Sequence, residues 1–165
     1  MSDNSPNGKS PEPAWAWAPY RPDRSRPWNL AMAGHLYRRA AFGANWAQLR
    51  RAVDEGPERT IERLLRPEGD LASFNEKYDA FEAAVPRSDS TEGLRPWWLM
   101  RAMQTPHPLL EKMTLFWHGH LGVSGAKVKN SELMRRYVQR LRSEAMERFD
   151  TLLHSISHDP ALLVS

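Results

Sequence analysis

Apolar residues recur along most of this chain at spacings of three and four, the period of one face of an α-helix. Leu30, Ala33, Leu36, Tyr37, Ala40 and Ala41 form the first such stripe, with Asn29 placed as its N-cap and Gly43 as its stop. Asn45 caps a second helix with Trp46, Leu49 and Val53 on one face and Gly56 at its end. Pro57 suits the first position of a third, whose apolar residues are Ile61, Leu64 and Leu65 and which Arg66-Pro67 closes. Residues 71–85 carry Phe74, Tyr78, Phe81 and Val85 at helical spacing. Ser90 or Thr91 then caps a helix built on Leu94, Trp97, Trp98, Met100 and Met103, with Pro96 tolerated in its first turn.

Thr105-Pro106-His107-Pro108 breaks the pattern, and an apolar-rich segment over 109–121 follows, glycine-dense at its end through Gly119, Gly122 and Gly125. Ser131 with Glu132 opens a long helix over 131–149 carrying Leu133, Met134, Tyr137, Val138, Leu141 and Met146. Its other face holds Arg135, Arg136, Arg140, Arg142 and Arg148, read as a solvated face. A short amphipathic helix spans 151–158, and Asp159-Pro160 starts another. Nothing alternates with period two for long enough to make a strand. The expected fold is all-α, an irregular multi-helix array of about seven to nine helices. Its last helix has only Ala161, Leu162, Leu163, Val164 and Ser165, so the array is expected to be incomplete at its C-terminal end and to expose an apolar face there.

Residues 1–28 read as a flexible arm and 29–165 as one truncated helical domain. The arm contains Pro6, Pro11, Pro13, Pro19, Pro22 and Pro27, and each proline removes a donor and disfavours helix before it. It also contains Trp15, Trp17 and Trp28, which predicts that part of it docks on the domain, with a peptide-like interaction motif as the alternative.

The chain has 165 residues, enough for one domain with a core of its own. It has no cysteine, which excludes disulfides, thiolate metal sites and thiol nucleophiles. Lys plus Arg is 23 against 20 Asp plus Glu, a net charge of +3, with the arginines interleaved among acids. That is the pattern of solvated helix faces, not of a nucleic-acid footprint. No apolar run reaches the roughly 20 residues a membrane span needs. Residues 1–13 have no apolar signal-peptide region, so the reading is a cytoplasmic start, with export only if the start site is misassigned.

The chemistry-bearing segment is Phe116-Trp117-His118-Gly119-His120. Two histidines two apart diverge on a regular helix, and they converge only if Gly119 ends it. Convergence would make His118 and His120 two ligands of a divalent metal, or a ligand and a general base; otherwise one is a core histidine and the other exposed. Trp97, Trp98 and Trp117, with Phe116, are large aromatics that either fill the core or line such a site. Lys127 and Lys129 follow the glycine-rich turn and could contact an anion, without any P-loop pattern. His35 reads as a seam residue between packed helices and His107 as loop. His154 and His158 have metal spacing but lack the flanking residues of a zinc-protease motif.

Several segments in order resemble a large bacterial family of unknown function, DUF1800. Gly34-His35-Leu36-Tyr37-Arg38-Arg39-Ala40-Ala41-Phe42-Gly43 is similar to its opening H-L-x-R-R-A-x-F-G signature. Trp97-Trp98-Leu99 and Thr105-Pro106-His107-Pro108-Leu109 are similar to its W-W-L and (T/S)-x-(H/N)-P-L stretches. The run from Glu111-Lys112-Met113 through Phe116-Trp117-His118-Gly119-His120-Leu121 resembles its E-K-M-x-x-F-W-H-x-H-F signature, with Leu121 where phenylalanine is usual. Lys127-Val128 and Asp159-Pro160-Ala161 also match in order. The resemblance implies a chain about three times as long, with a later N-P-N-E-N-(F/Y)-A-R-E-(L/F) segment that is not present here. It implies no established activity. Three functions are therefore expected alternatives: the N-terminal part of such a protein without separable activity, part of a metal-assisted hydrolase built on His118 and His120, or an interaction protein using the arm or the arginine-rich helix over 131–149.

Overall fold

The computed structural model describes residues 18–165. Among the described residues there are ten helices and no strand. They are α1 (Leu30–Ala40), α2 (Trp46–Glu55), α3 (Pro57–Leu65), α4 (Leu71–Ala83), α5 (Leu94–Gln104), α6 (Pro108–Leu121), α7 (Gly125–Val128), α8 (Ser131–Glu144), α9 (Phe149–Ser157) and α10 (Pro160–Leu163). Helices α7 and α10 have four residues each, so the longer ones fall within the expected number.

Local chemistry accounts for most of the helix starts. The Asn29 side chain accepts from the Ala31 and Met32 amides at 3.0 and 3.1 Å. Asn45 and Gln48 form a reciprocal capping box at 2.9 and 2.8 Å. Pro57 and Pro160 occupy first turns, where the missing N–H would have no partner. Asp159 caps α10 by accepting from the Ala161 amide at 2.9 Å. One start differs from expectation. Neither Ser90 nor Thr91 caps α5, which begins at Leu94 after Gly93 with no side-chain cap. Helix α8 opens at Ser131 as expected and is capped by Asn130, which accepts from the Leu133 amide at 3.0 Å. Ser131 accepts from the Ser88 amide through its Oγ at 2.9 Å, tying α8 to the loop after α4.

The long helix expected over 131–149 stops at Glu144. The Ala145 carbonyl accepts from the Trp117 indole at 3.1 Å, and the chain turns there before α9. A large side chain from α6 thus takes a carbonyl at the break, a long-range contact that periodicity does not reveal.

The helices enclose two apolar clusters. In the first, α1 to α3 bury Ala33, Tyr37, Ala41, Ala52 and Leu64. Trp28 packs against this cluster and donates its indole N–H to the Ala52 carbonyl at 2.8 Å, while Trp15 and Trp17 lie outside the described residues. The second cluster surrounds α8, which touches α6, α7, α9 and α10 and buries Tyr137 and Leu141 completely. Trp97, Leu152 and Ile156 close round it. Burying one such aromatic removes roughly 150–250 Å² from water, a gross gain of about 4–6 kcal/mol. Helix α6 also touches α1, α3 and α5, so it joins the two clusters, and it carries the histidine segment. At the end of the chain Ala161 is buried, while Leu163 and Val164 are exposed. No helix among the described residues is long and apolar enough to cross a membrane.

Candidate functional site

Helix α6 runs unbroken through Gly119 and ends at Gly122, which adopts the left-handed conformation (φ 69°) that glycine tolerates. Two residues along a continuous helix turn through about 200°, so His118 and His120 leave opposite sides. His118 shares the inward face with Glu111 and Thr114, which are buried. Its ring lies against Trp98 (centroids 5.2 Å, edge-on) and Tyr137 (5.8 Å). His120 is exposed and meets Phe116 (5.7 Å, stacked) and Trp117 (5.8 Å). The two imidazoles therefore have separate surroundings. Among the described residues no three side chains of His, Asp or Glu gather as a metal-binding group.

A cleft of about 390 Å³ opens beside His118, between α5, the end of α6, α7 and α8. Leu94, Trp97 and Trp98 wall one side, and Val123, Met134 and Val138 another. Polar groups at its lining are Thr91, Arg95, His118, Ser124 and Arg135. His118 Nδ1 is buried without a hydrogen-bond partner among the described residues. Burial holds the imidazole below its ordinary pKa, so the ring is neutral at neutral pH. A neutral imidazole at a cleft wall can accept a proton or donate a hydrogen bond.

Two glycines shape this cleft. A Cβ on Gly119 would meet nothing within 4 Å, so the backbone of α6 lies open there. Gly at a helix interior costs about 1 kcal/mol relative to Ala, and no packing contact in the structure requires it at 119. Gly125 is the opposite case. A Cβ there would sit 2.3 Å from Thr91 Oγ1, so only glycine lets α7 approach Thr91 this closely.

Behind the cleft lies a buried ionic cluster. Glu111, 1% exposed, accepts from Arg101 Nε at 2.7 Å and from Arg142 at 2.8 and 3.3 Å. The Trp98 indole also donates to Glu111 at 3.3 Å, which couples the cleft wall to the cluster. Arg101 reaches Asn75 as well, and its guanidinium lies over the Phe74 ring at 5.1 Å. Arg142 lies over Trp97 at 5.3 Å, and burial draws its guanidinium below the ordinary value. A second pair sits alongside: Arg135 Nε is 3.0 Å from Glu82, and Gln139 donates to the same carboxylate. Burial pushes the Glu82 carboxyl above its usual range, against the opposing pull of Gln139 and Arg135.

These residues correct the reading of α8 as having a solvated arginine face. Arg135 and Arg142 are buried and paired inward. Only Arg136 and Arg140 on α8, and Arg148 beyond it, are exposed, and each sits beside a carboxylate: Glu132, Asp159 and Asp150. The signal was present in the spacing. Arg135 and Arg142 are seven apart and fall on the stripe with Val138, as Glu111 falls with Thr114 and His118. Charge alone does not mark exposure, because a paired charge can lie on a buried stripe.

Of the residues singled out from sequence, Trp97, Trp98 and His118 meet in the cleft. Trp117 packs on the far side, stacked on Phe149 at 5.6 Å with its indole on the Ala145 carbonyl. Phe116 is half exposed and does not seal the cleft. Lys127 is exposed on α7 and does not line it. His35 is exposed, not at a packing seam. His107 stands at the start of α6 with its Nε2 buried and unpartnered. His154 and His158 lie 5.2 Å apart on the surface, and His158 Nδ1 bonds back to the His154 carbonyl at 2.9 Å.

No curated protein and no solved structure matches the chain. A family model described as a protein of unknown function, DUF1800, matches residues 35–165, which takes in nine of the ten helices whole and the rest of α1 from His35 on, together with the cleft and the ionic cluster. The chain belongs to the DUF1800 family.

Proposed function

We propose that the protein binds a small molecule in the cleft between α5, α6, α7 and α8, with neutral His118 as its polar contact. The observation that carries this is the conjunction of His118 and Gly119. A half-buried imidazole with an unpartnered buried nitrogen stands next to a helix glycine that nothing in the packing demands. Both line one cleft, whose walls include Trp97 and Trp98. Apolar clefts with a few converging polar groups are the usual form of small-molecule sites, and this one lies near the small end of the range of roughly 300–1,000 Å³. The shared-metal reading of His118 with His120 gains no support from rings that leave opposite sides of α6. The interaction reading of the arginine face of helix 131–149 loses Arg135 and Arg142, which are turned inward.

The test is a screen of small aromatic and aliphatic acids, amines and alcohols by ligand-observed NMR, against the wild-type chain and Gly119→Leu. Leucine is a better helix former than glycine, and its Cβ meets nothing within 4 Å at 119, so the variant is expected to keep its fold while adding bulk at the cleft wall. Gly119→Ala serves as a folding control, with a melting temperature at or above wild type. Hits that bind wild type and are lost in Gly119→Leu support the reading. An absence of hits, or hits indifferent to the leucine, overturns it.

A further inference from the structure

We infer that the ligand is a monoanion with an apolar body, a small aromatic or aliphatic carboxylic acid, bound with its carboxylate toward Arg95. This rests on the reading of the cleft as a small-molecule site. Among the described residues its lining contains no acidic residue. It contains two arginines, which differ in one respect. Arg135 faces Glu82 at 3.0 Å and Glu132 at 3.3 Å, so its charge is already matched. Arg95 lines the cleft and has no carboxylate partner among the described residues. The cleft thus offers one uncompensated positive charge, which fits one negative charge and leaves a phosphate dianion half unmatched. The remaining polar groups, Thr91, Ser124 and His118, all include a hydrogen-bond donor or can present one, which suits carboxylate oxygens. The indole of Trp98 and the side chains of Leu94, Val123 and Met134 supply the surface for the apolar body.

A neighbouring groove tests the assignment. Phe42, Leu99, Met103 and Leu115 line a nearly all-apolar groove that also shares Arg95 and Trp98. An apolar acid seated there would use the same arginine, so the experiment has to separate the two. Met103 lines only the groove, and Gly119 lines only the cleft.

The probes are 3-phenylpropionate, 3-phenylpropanol and phenyl phosphate, titrated into the full chain and followed by NMR. The expected result is that 3-phenylpropionate binds about fivefold tighter than the alcohol, near the most that a largely solvent-exposed ion pair supplies. Arg95→Gln brings the acid down to the alcohol's affinity and leaves the alcohol unchanged. Met103→Gln changes neither. Equal affinity of acid and alcohol for wild type overturns the carboxylate assignment while leaving the cleft as a site. Tighter binding of phenyl phosphate than of 3-phenylpropionate overturns it in favour of a dianion. Loss of binding in Met103→Gln moves the site to the groove and overturns it as well. Failure of acid and alcohol alike to saturate the protein overturns the inference together with the cleft reading beneath it.

Discussion

Replacing Glu111 by alanine removes the one carboxylate that Arg101 and Arg142 share. Arg101 and Arg142 are 3% and 9% exposed, and among the described residues no other acid lies nearer than Asp79, 3.9 Å from Arg101 Nη1. Breaking a buried ion pair by deleting one partner costs about 3–5 kcal/mol, because the remaining charge stays desolvated. Here two charges are left, so the expected loss is at least about 4 kcal/mol, against a total of roughly 5–15 kcal/mol for a domain. At about 2–4 °C per kcal/mol for a chain of this size, the melting temperature falls by roughly 8–16 °C. Urea denaturation followed by far-UV circular dichroism measures the free-energy loss, and a thermal melt measures the shift in temperature. The companion variant Glu111→Leu/Arg101→Met/Arg142→Met replaces the whole cluster with apolar groups of similar volume. It is expected to recover to within about 2 kcal/mol of wild type. Arg136→Ala, which breaks only an exposed pair with Glu132, sets the baseline at under about 1 kcal/mol. A Glu111→Ala loss below about 1 kcal/mol, or a triple variant no better than the single, would refute the claim that the cluster acts as one buried unit.

Three further outcomes follow from the same geometry. Burial lowers the pKa of His118 in the folded state, so the unfolded chain takes up its proton first as pH falls below about 6.5. Stability from the neutral ring is complete above that pH and is lost below it; urea midpoints at pH 7.5 and 5.5 should fall more for wild type than for His118→Gln, and identical falls would contradict the assignment. His107 is shifted in the same direction by burial, so the histidine variant removes only part of the slope. Gly125→Ala drives a methyl to 2.3 Å from Thr91 Oγ1 and is expected to destabilise by about 1–3 kcal/mol, with Thr91→Gly restoring part of the loss; thermal melts of the single and double variants decide it. Asn130→Ala removes the cap on α8 and should cost about 1 kcal/mol in the same assay, and an unchanged melt would contradict the cap.

Much of the helical layout was legible because it is written locally. Asn29, Asn45 and Asp159 announce helix starts through side-chain oxygens that meet amides two or three residues on, and Pro57 does so by its fixed φ. The errors arise where a partner comes from far along the chain. Trp117 takes the carbonyl at which α8 ends, and Arg135 and Arg142 turn inward to Glu82 and Glu111. The site shows the same division. His118, Trp97 and Trp98 stand out by residue type alone, but whether two histidines converge depends on where α6 stops, and Gly122 rather than Gly119 ends it. The ionic cluster is not legible in the sequence, because Glu111 pairs with Arg101 and Arg142 across 10 and 31 residues and no local rule joins them.

The most direct measurement is a two-dimensional NMR titration of 3-phenylpropionate that follows the His118 ring protons and the indole resonances of Trp98 and Trp46. Trp46 is 63% exposed on α2 and does not line the cleft, so it reports nonspecific association with surface aromatics. The cleft account predicts saturable shifts at His118 and Trp98, none at Trp46, and loss of all of them in Gly119→Leu. Shifts at Trp46 as large as those at His118, or a His118 ring that does not respond at saturating ligand, would contradict it.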